Sequence, residues 1–175
     1  MKLNIHSTVY ENGIPHTTEA VLPFSDDAGR ENQLLNLYPQ VTYQTLAGFG
    51  GAITDSASYV YSLLDEVGGP NHVNNYCDAP YLFHTGEKRL MKREIQHYLE
   101  HFAHYLAPGS VRIGFSRYTD AIEMTAFKNG DTIVVVFLNR TENILPAYLR
   151  IQDQCAPITI APRSITTGVI TDLEV

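Results

Sequence analysis

Ile133-Val134-Val135-Val136-Phe137-Leu138 is the longest aliphatic and aromatic run in the chain, and its reading decides the fold. The run is short and rich in β-branched residues, so it reads as a strand buried on both faces. It is far below the ~20 residues that a membrane-spanning helix needs. Asn129-Gly130-Asp131 supplies a turn just before it. Around it lie candidate strands over residues 111–116, 122–127, 132–139, 147–152, 157–160 and 164–171. Short strands at even spacing predict a sandwich or a barrel.

The start of the chain reads in the same way. Residues 3–10 and 40–46 mix Val, Thr, Tyr and Leu, and Asn12-Gly13 between β-prone runs is a hairpin signal. Pro23 and Ser25-Asp26-Asp27-Ala28-Gly29 mark further turns, while residues 31–37 fit either a short strand or a turn of helix. The middle is different. Thr54 or Asp55 can cap a helix whose face is Ala57, Tyr61 and Leu64. Residues 67–90 read as a long loop, with Gly68-Gly69-Pro70, Asn74-Asn75, Pro80 and Gly86. Residues 92–106 form the clearest helix, with Ile95, Leu99, Phe102 and Leu106 at helical spacing and Pro108-Gly109 as the stop. The expected fold is therefore mainly β, a sandwich of N- and C-terminal strands over 1–47 and 107–175, with a mixed segment over 48–106.

Composition narrows the function. The 175 residues carry 12 Lys+Arg and 19 Asp+Glu, a formal charge of −7, which gives no pull toward nucleic acid or an anionic membrane. A hydrophobic content of 44% is too high for a disordered chain. The N-terminal residues Met1-Lys2-Leu3-Asn4-Ile5-His6 lack the apolar core of a signal peptide, so a cytoplasmic location is expected. Cys77 and Cys155 are too few for a disulfide framework and read as packed thiols.

Several chemical motifs are incomplete. Gly48 and Gly50 begin a dinucleotide-type pattern, but Ile53 stands where its third glycine belongs. His97, His101 and His104 share a helix at i, i+4 and i+7, without the Glu of a zinc-protease helix or a companion Cys pair. A solvated or packed helix face explains them better than a metal. Asp55, Asp65, Glu66 and Asp78 are the carboxylates of the middle segment, and nothing in their spacing sets two of them at a catalytic separation. No G-x-S-x-G elbow is present. Neither a metal nor a cofactor is expected.

The stretch Tyr43-Gln44-Thr45-Leu46-Ala47-Gly48-Phe49-Gly50-Gly51-Ala52-Ile53-Thr54-Asp55-Ser56-Ala57 resembles the start of the catalytic barrel in glycoside hydrolase family 30, which includes the glucosylceramidases. The run from Leu64 through Asp65 to Pro80 resembles the loop after that barrel's last strand, and residues 97–110 its last helix and exit. Ala126-Phe127, residues 133–139 and Ile160-Ala161-Pro162-Arg163-Ser164-Ile165 resemble the family's C-terminal sandwich.

The resemblance implies a retaining β-glucosidase fold of two domains, a sandwich and a (β/α)₈ barrel. A full barrel takes ~250 residues. Here its first helix and last loop abut near Leu64 and Asp65, so two helices would remain from a deleted barrel. Both catalytic glutamates of the family belong to the missing stretch, and the Asn-Glu-Pro signature is absent, as are the Trp-bearing strands. No catalytic residue carries over. What carries over is vestigial: Asp55, which the resemblance implies binds hydroxyls of the glucosyl ring, and Asn71 and His72, which border the pocket. The expectation is a non-catalytic sandwich portion, inactive alone, that binds a glucoside weakly and self-associates through the exposed barrel remnant. The alternatives are a β-glycosidase completed by oligomerisation or a partner chain, using residues such as Asp55 and Glu66, and a weak carbohydrate-binding module with Tyr59, Tyr76 or Tyr81 as platform.

Overall fold

A computed structural model describes residues 1–11, 14–49, 71–72, 75–76, 81–84 and 87–173. The chain forms two compact units, Met1–Gly48 with His101–Val175, and Phe49–Glu100. In the first unit the strands are β1 (Lys2–Glu11), β2 (Ile14–Pro23), β3 (Ser25–Asp26) and β4 (Leu34–Thr45). The second unit holds β5 (Asn71–His72), β6 (Asn75–Tyr76), β7 (Tyr81–His84) and β8 (Arg89–Lys92), and most of helix α1 (Glu94–Ala103). The chain then returns to the first unit through β9 (Val111–Arg117), β10 (Ile122–Asn129), β11 (Thr132–Asn139), β12 (Leu145–Ile151), β13 (Gln154–Ile160) and β14 (Ser164–Thr171).

Ten of these strands make one continuous sheet in the order β2-β1-β14-β11-β10-β9-β4-β12-β13-β3. The weakest join is between β10 and β9, which pair only at Phe127↔Arg112 and Lys128↔Val111. The sheet folds over at that join. Leu3, Phe137 and Ile170 from one side share a single buried apolar cluster with Leu35, Leu149 and Ile160 from the other. Strands so far apart in the order can share a core only if the sheet closes on itself as two facing layers. The fold is thus mainly β and a sandwich, as the residue pattern implies.

Parentage of the layers explains the register. β1 runs antiparallel between β2 and β14, from Lys2↔Thr171 to Val9↔Ser164. β4 enters the other layer and pairs in parallel with β12, Leu34 opposite Tyr148 and Leu37 opposite Ile151. Leu35 and Leu37 point inward there, which settles residues 34–37 as strand. The β10–β11 hairpin turns on Gly130, whose φ of +61° suits the left-handed region that glycine tolerates. Asn139 closes the end of β11. Its buried Nδ2 donates to the carbonyls of Asn143 (2.8 Å) and Ala161 (2.8 Å), and its Oδ1 accepts from the backbone N–H of Thr141 (2.9 Å).

The middle departs from expectation in two places. Within the stretch that reads as a long loop, Tyr81 pairs with Lys92 and His84 with Arg89 in a short ladder. Lys92 therefore ends a strand, and α1 begins at Glu94. The helix expected over Ala57, Tyr61 and Leu64 lies outside the described residues, as does Asn12-Gly13.

β2 is the free edge of the larger layer among the described residues. Phe24 N donates to Met1 O, so the bonded pairs of this ladder are Leu3↔Leu22, Ile5↔Ala20 and every second pair onward. The side-chain contacts His6–Glu19 and Thr8–Thr17 fall on the alternate, closer pairs, as that phase requires. Residues 15, 17, 19, 21 and 23 then direct their backbone polar groups outward. Two of these are Pro15 and Pro23, which have no N–H to offer. The prolines blunt an edge whose Ile14 and Val21 side chains are exposed. Replacing both, Pro15→Thr with Pro23→Thr, is expected to raise edge-to-edge association. Concentration-dependent hydrogen exchange at Thr17, Glu19 and Val21 would report it; unchanged exchange and sedimentation would show that the prolines do not guard this edge.

Candidate functional site

His101 comes from the last turn of α1 and is only 5% exposed. Its Nδ1 lies 2.9 Å from Thr167 Oγ1 on β14, and its Nε2 lies 2.9 Å from Thr8 Oγ1 on β1. Thr167 also donates its hydroxyl proton to the backbone carbonyl of His101 at 3.0 Å. With that proton committed, Thr167 accepts from Nδ1–H, and Nε2 accepts from Thr8. The ring is therefore a clamp that ties the helix end to two adjacent strands. The other helix histidines do different things. His97 has its protonated form disfavoured by burial and by Lys92, against a weaker pull from Glu100. His104 stands edge-on to Tyr105. The three do not converge, and no group of metal-binding side chains occurs among the described residues.

The apolar stripe expected of this segment is only partly covered. Ile95 is 38% and Leu99 41% exposed, although their spacing marks the apolar stripe of the helix. Hydroxyls on β1 and β14 hold the polar His101 inward instead. No helix among the described residues is long and apolar enough to cross a membrane.

A second polar network crosses the layer formed by β9, β4, β12 and β13. Arg150 donates from Nε to Asn36 Oδ1 (2.7 Å) and from Nη1 to Asp27 Oδ2 (2.9 Å). Asn36 passes the chain on, donating from Nδ2 to Ser116 Oγ (2.8 Å), which contacts the Tyr38 hydroxyl at 3.1 Å. Asp27 Oδ1 also accepts the backbone N–H of Arg30. Arg150, then that backbone donor, hold the Asp27 carboxyl below the usual range, against burial. Burial pushes the neighbouring Cys155 thiol up, and the Asp27 charge adds to this, so the thiol is inert rather than nucleophilic.

This network was not singled out from sequence. The signals were a polar Asn36 inside Leu34-Leu35-Asn36-Leu37 and Arg150 between Leu149 and Ile151, two interruptions of apolar runs at facing positions.

The residues singled out from sequence fare differently. Asp55, Asp65, Glu66, Asp78, Cys77 and Tyr59 lie outside the described residues. Asn71 pairs with Tyr76 and His72 with Asn75 in a two-residue backbone ladder. A glycosidase needs two carboxyl groups facing one another. Several described carboxylates face cations: Asp27 meets Arg150, Glu142 meets Arg163, Glu123 meets Arg140, and Glu100 meets Lys92. These are structural pairings, with no acid poised beside a base.

Comparison with known proteins places this architecture. Residues 109–168 match the model of the glycosyl hydrolase family 30 beta sandwich domain. Putative glucosylceramidase 2 of Caenorhabditis elegans is 32% identical over 112 residues, which is 60% of this chain and 22% of that protein. Lysosomal acid glucosylceramidase of Mus musculus is 29% identical over 101 residues, 57% of this chain and 20% of that one. Among solved structures, SrfJ from Salmonella typhimurium superimposes with a TM-score of 0.57 at 27% identity, over 61% of this chain and 24% of its own. An endo-beta1,6-glucanase shares the fold with a TM-score of 0.53 at 22% identity, over 60% of this chain and 24% of its own. The chain spans about a fifth of the length of the curated relatives it matches.

Two outcomes follow from the polar networks. His101→Leu removes the ring that the Thr8 and Thr167 hydroxyls bond and should cost about 1–3 kcal/mol, read from the urea midpoint. Adding Thr8→Val should recover part of that loss, whereas adding Thr167→Val should not, because the Thr167 hydroxyl still bonds the backbone carbonyl of residue 101. The Asp27 carboxyl titrates lower folded than unfolded, so its contribution is present above pH ~4 and fades as pH falls through the folded value. Asp27→Asn should therefore destabilise at pH 6 and differ little from the parent near pH 2; equal losses at both would remove the ionised pair from the account.

Proposed function

We propose that this chain, whose residues 109–168 match the glycosyl hydrolase family 30 beta sandwich domain, is the non-catalytic sandwich portion of a glucosylceramidase-like glycosidase and does not hydrolyse β-glucosides by itself. One observation carries this reading. The sandwich core is complete within Met1–Gly48 and His101–Val175, leaving only Phe49–Glu100 between them. That interval is far too short for a barrel of ~250 residues. A retaining mechanism requires two carboxyl groups about 5–5.5 Å apart, one as nucleophile and one as acid. The sequence has no Asn-Glu-Pro, and Asp27 and Glu142 are paired with cations. Asp55, Asn71 and His72 are then the relics of a sugar-binding rim, able to contact a glucosyl ring weakly and unable to cleave it.

A second reading is favoured by the exposed Ile95 and Leu99 of α1. An apolar stripe left facing solvent suits a covering surface, either a second copy of this chain or a chain that supplies the barrel. In that assembly the sandwich would again be scaffold, and the partner would bring the carboxylates.

A fluorinated β-glucoside with a good leaving group traps a retaining nucleophile as a stable ester. Incubated with the purified chain over a range of concentrations, it should give an unchanged intact mass and turnover equal to buffer. A stoichiometric fluoroglucosyl adduct at every concentration would overturn the non-catalytic reading. An adduct that appears only as the chain associates would establish the second.

A further inference from the structure

The outer face of the layer formed by β9, β4, β12 and β13 carries a track that neither the core nor the catalytic reading uses. Leu35 and Leu37 of β4 point into the core, so Leu34, Asn36 and Tyr38 point away from it. On β9 the inward residues are Ile113 and Phe115, which leaves Gly114 and Ser116 outward. A Cβ built on Gly114 would sit 2.9 Å from Val41 Cβ and 3.4 Å from Tyr38 Cβ, so both side chains lie over this same face. The absence of a side chain at Gly114 is what lets β4 pass so close. At one end, the Tyr118 hydroxyl donates to the Pro146 carbonyl on β12 (2.9 Å), carrying its ring across β4. At the other, the Arg112 guanidinium covers Tyr43 at 4.0 Å, and its Nε donates to Gln44.

Because β4 bulges between Tyr38 and Thr45, the track is measured along β9, where Tyr118 to Arg112 makes a line of roughly 20 Å at ~3.3 Å per residue. Tyr118, Tyr38 and Tyr43 are 41%, 37% and 51% exposed along it, with the Asn36–Ser116–Arg150 hydrogen-bond row between the first two. Each ring is anchored: Tyr38 on Ser116, Tyr118 on Pro146, Tyr43 under Arg112. Rings already held in place lose little freedom when a ligand arrives.

We propose that this track binds an extended, uncharged polysaccharide chain. A tyrosine offers an apolar ring and a polar tip, and a pyranose offers the complement, a C–H face and a rim of hydroxyls. The alternation of ring, amide, hydroxyl and ring matches a polymer that repeats those two features. The apolar component is a line along one strand rather than a broad patch, which suits a chain better than the ~800 Å² per partner of a protein interface. The cations are already engaged: Arg150 by Asp27, Arg112 by Tyr43 and Gln44, Arg30 over the Tyr148 ring at 4.5 Å. Little is left to attract a polyanion.

The proposal stands independently of the catalytic reading, and its test uses binding alone. The chain has 11 Tyr and no Trp, so tyrosine emission reports the rings directly. Titrating the full chain with cellohexaose, laminarihexaose and xylohexaose should change that emission with at least one of them, insensitively to salt. Tyr43→Ala and Tyr118→Ala should each weaken binding about 10-fold, and Tyr43→Leu, which keeps apolar bulk, should weaken it similarly at an unchanged unfolding midpoint. Val21→Ala, on β2 and outside the track, should bind as the parent does. Absence of binding by all three sugars would overturn the proposal. So would unchanged affinity in the track variants, a loss of equal size in Val21→Ala, or binding abolished by moderate salt.

Discussion

Everything in the first unit depends on two backbone hydrogen bonds that join the ends of a long excursion. Leu46 N donates to Ser110 O, and Gly109 N donates to Leu46 O, both at 2.8 Å. The chain therefore leaves the sandwich after β4 and comes back to the same place before β9. With exit and re-entry fixed side by side, the length of what lies between has little effect on stability, because loop closure costs only about (3/2)RT ln n. The register of β4 against β9 reflects this point of departure. It is regular from Leu35↔Arg117 to Tyr38↔Gly114, then slips toward Thr42↔Ile113 and Thr45↔Val111. Bulges of this kind bend a strand out of a layer, which is what a strand leading into another unit must do.

The sandwich in turn needs both ends of the sequence. β1 completes one layer against β14, and β4 bridges β9 and β12 in the other. Neither terminal half could bury its apolar face alone, since Leu3 and Leu35 come from one half and Phe137, Leu149 and Ile160 from the other. The polar groups drawn into this core are all satisfied: no buried side-chain nitrogen or oxygen among the described residues lacks a hydrogen bond. Asn139 and His101 show how. Each is placed where several groups converge, three carbonyls and a loop N–H for the first, two hydroxyls for the second. Burial makes such groups costly unless every bond is made.

Much of this was legible where local signals agree. Residues 132–139 and 164–171 read as strands and are strands to the residue, because apolar runs there end on turn residues such as Gly130. Residues 31–37 were ambiguous because their strand pairs in parallel with β12, more than a hundred residues away, and no local pattern announces that partner. β7 and β8 were hidden for another reason: four-residue strands joined across Gly86 look like loop to any test of periodicity. At the end of α1 the periodicity was plain, but the inward place of His101 was decided by Thr8 and Thr167 on distant strands. The polar row through Arg150, Asn36 and Ser116 was invisible for the same reason, since register, not sequence proximity, assembles it.

This separation of roles explains how the sandwich can form independently of the element inserted into it. Stability resides in pairings between the two ends of the sequence, and the clamp at Leu46 and Ser110 makes those pairings indifferent to what is inserted between them. Catalysis has the opposite requirement. Two carboxyl groups must be held at one separation across a bond, and that precision can come only from the inserted element. Shortening the insertion therefore removes the reaction abruptly and the fold hardly at all. In α1, Ile95 and Leu99 are exposed apolar residues. A sandwich with blunted outer edges, prolines on β2 and a two-residue β3 at the far side, is free to tolerate such a face without polymerising through its strands.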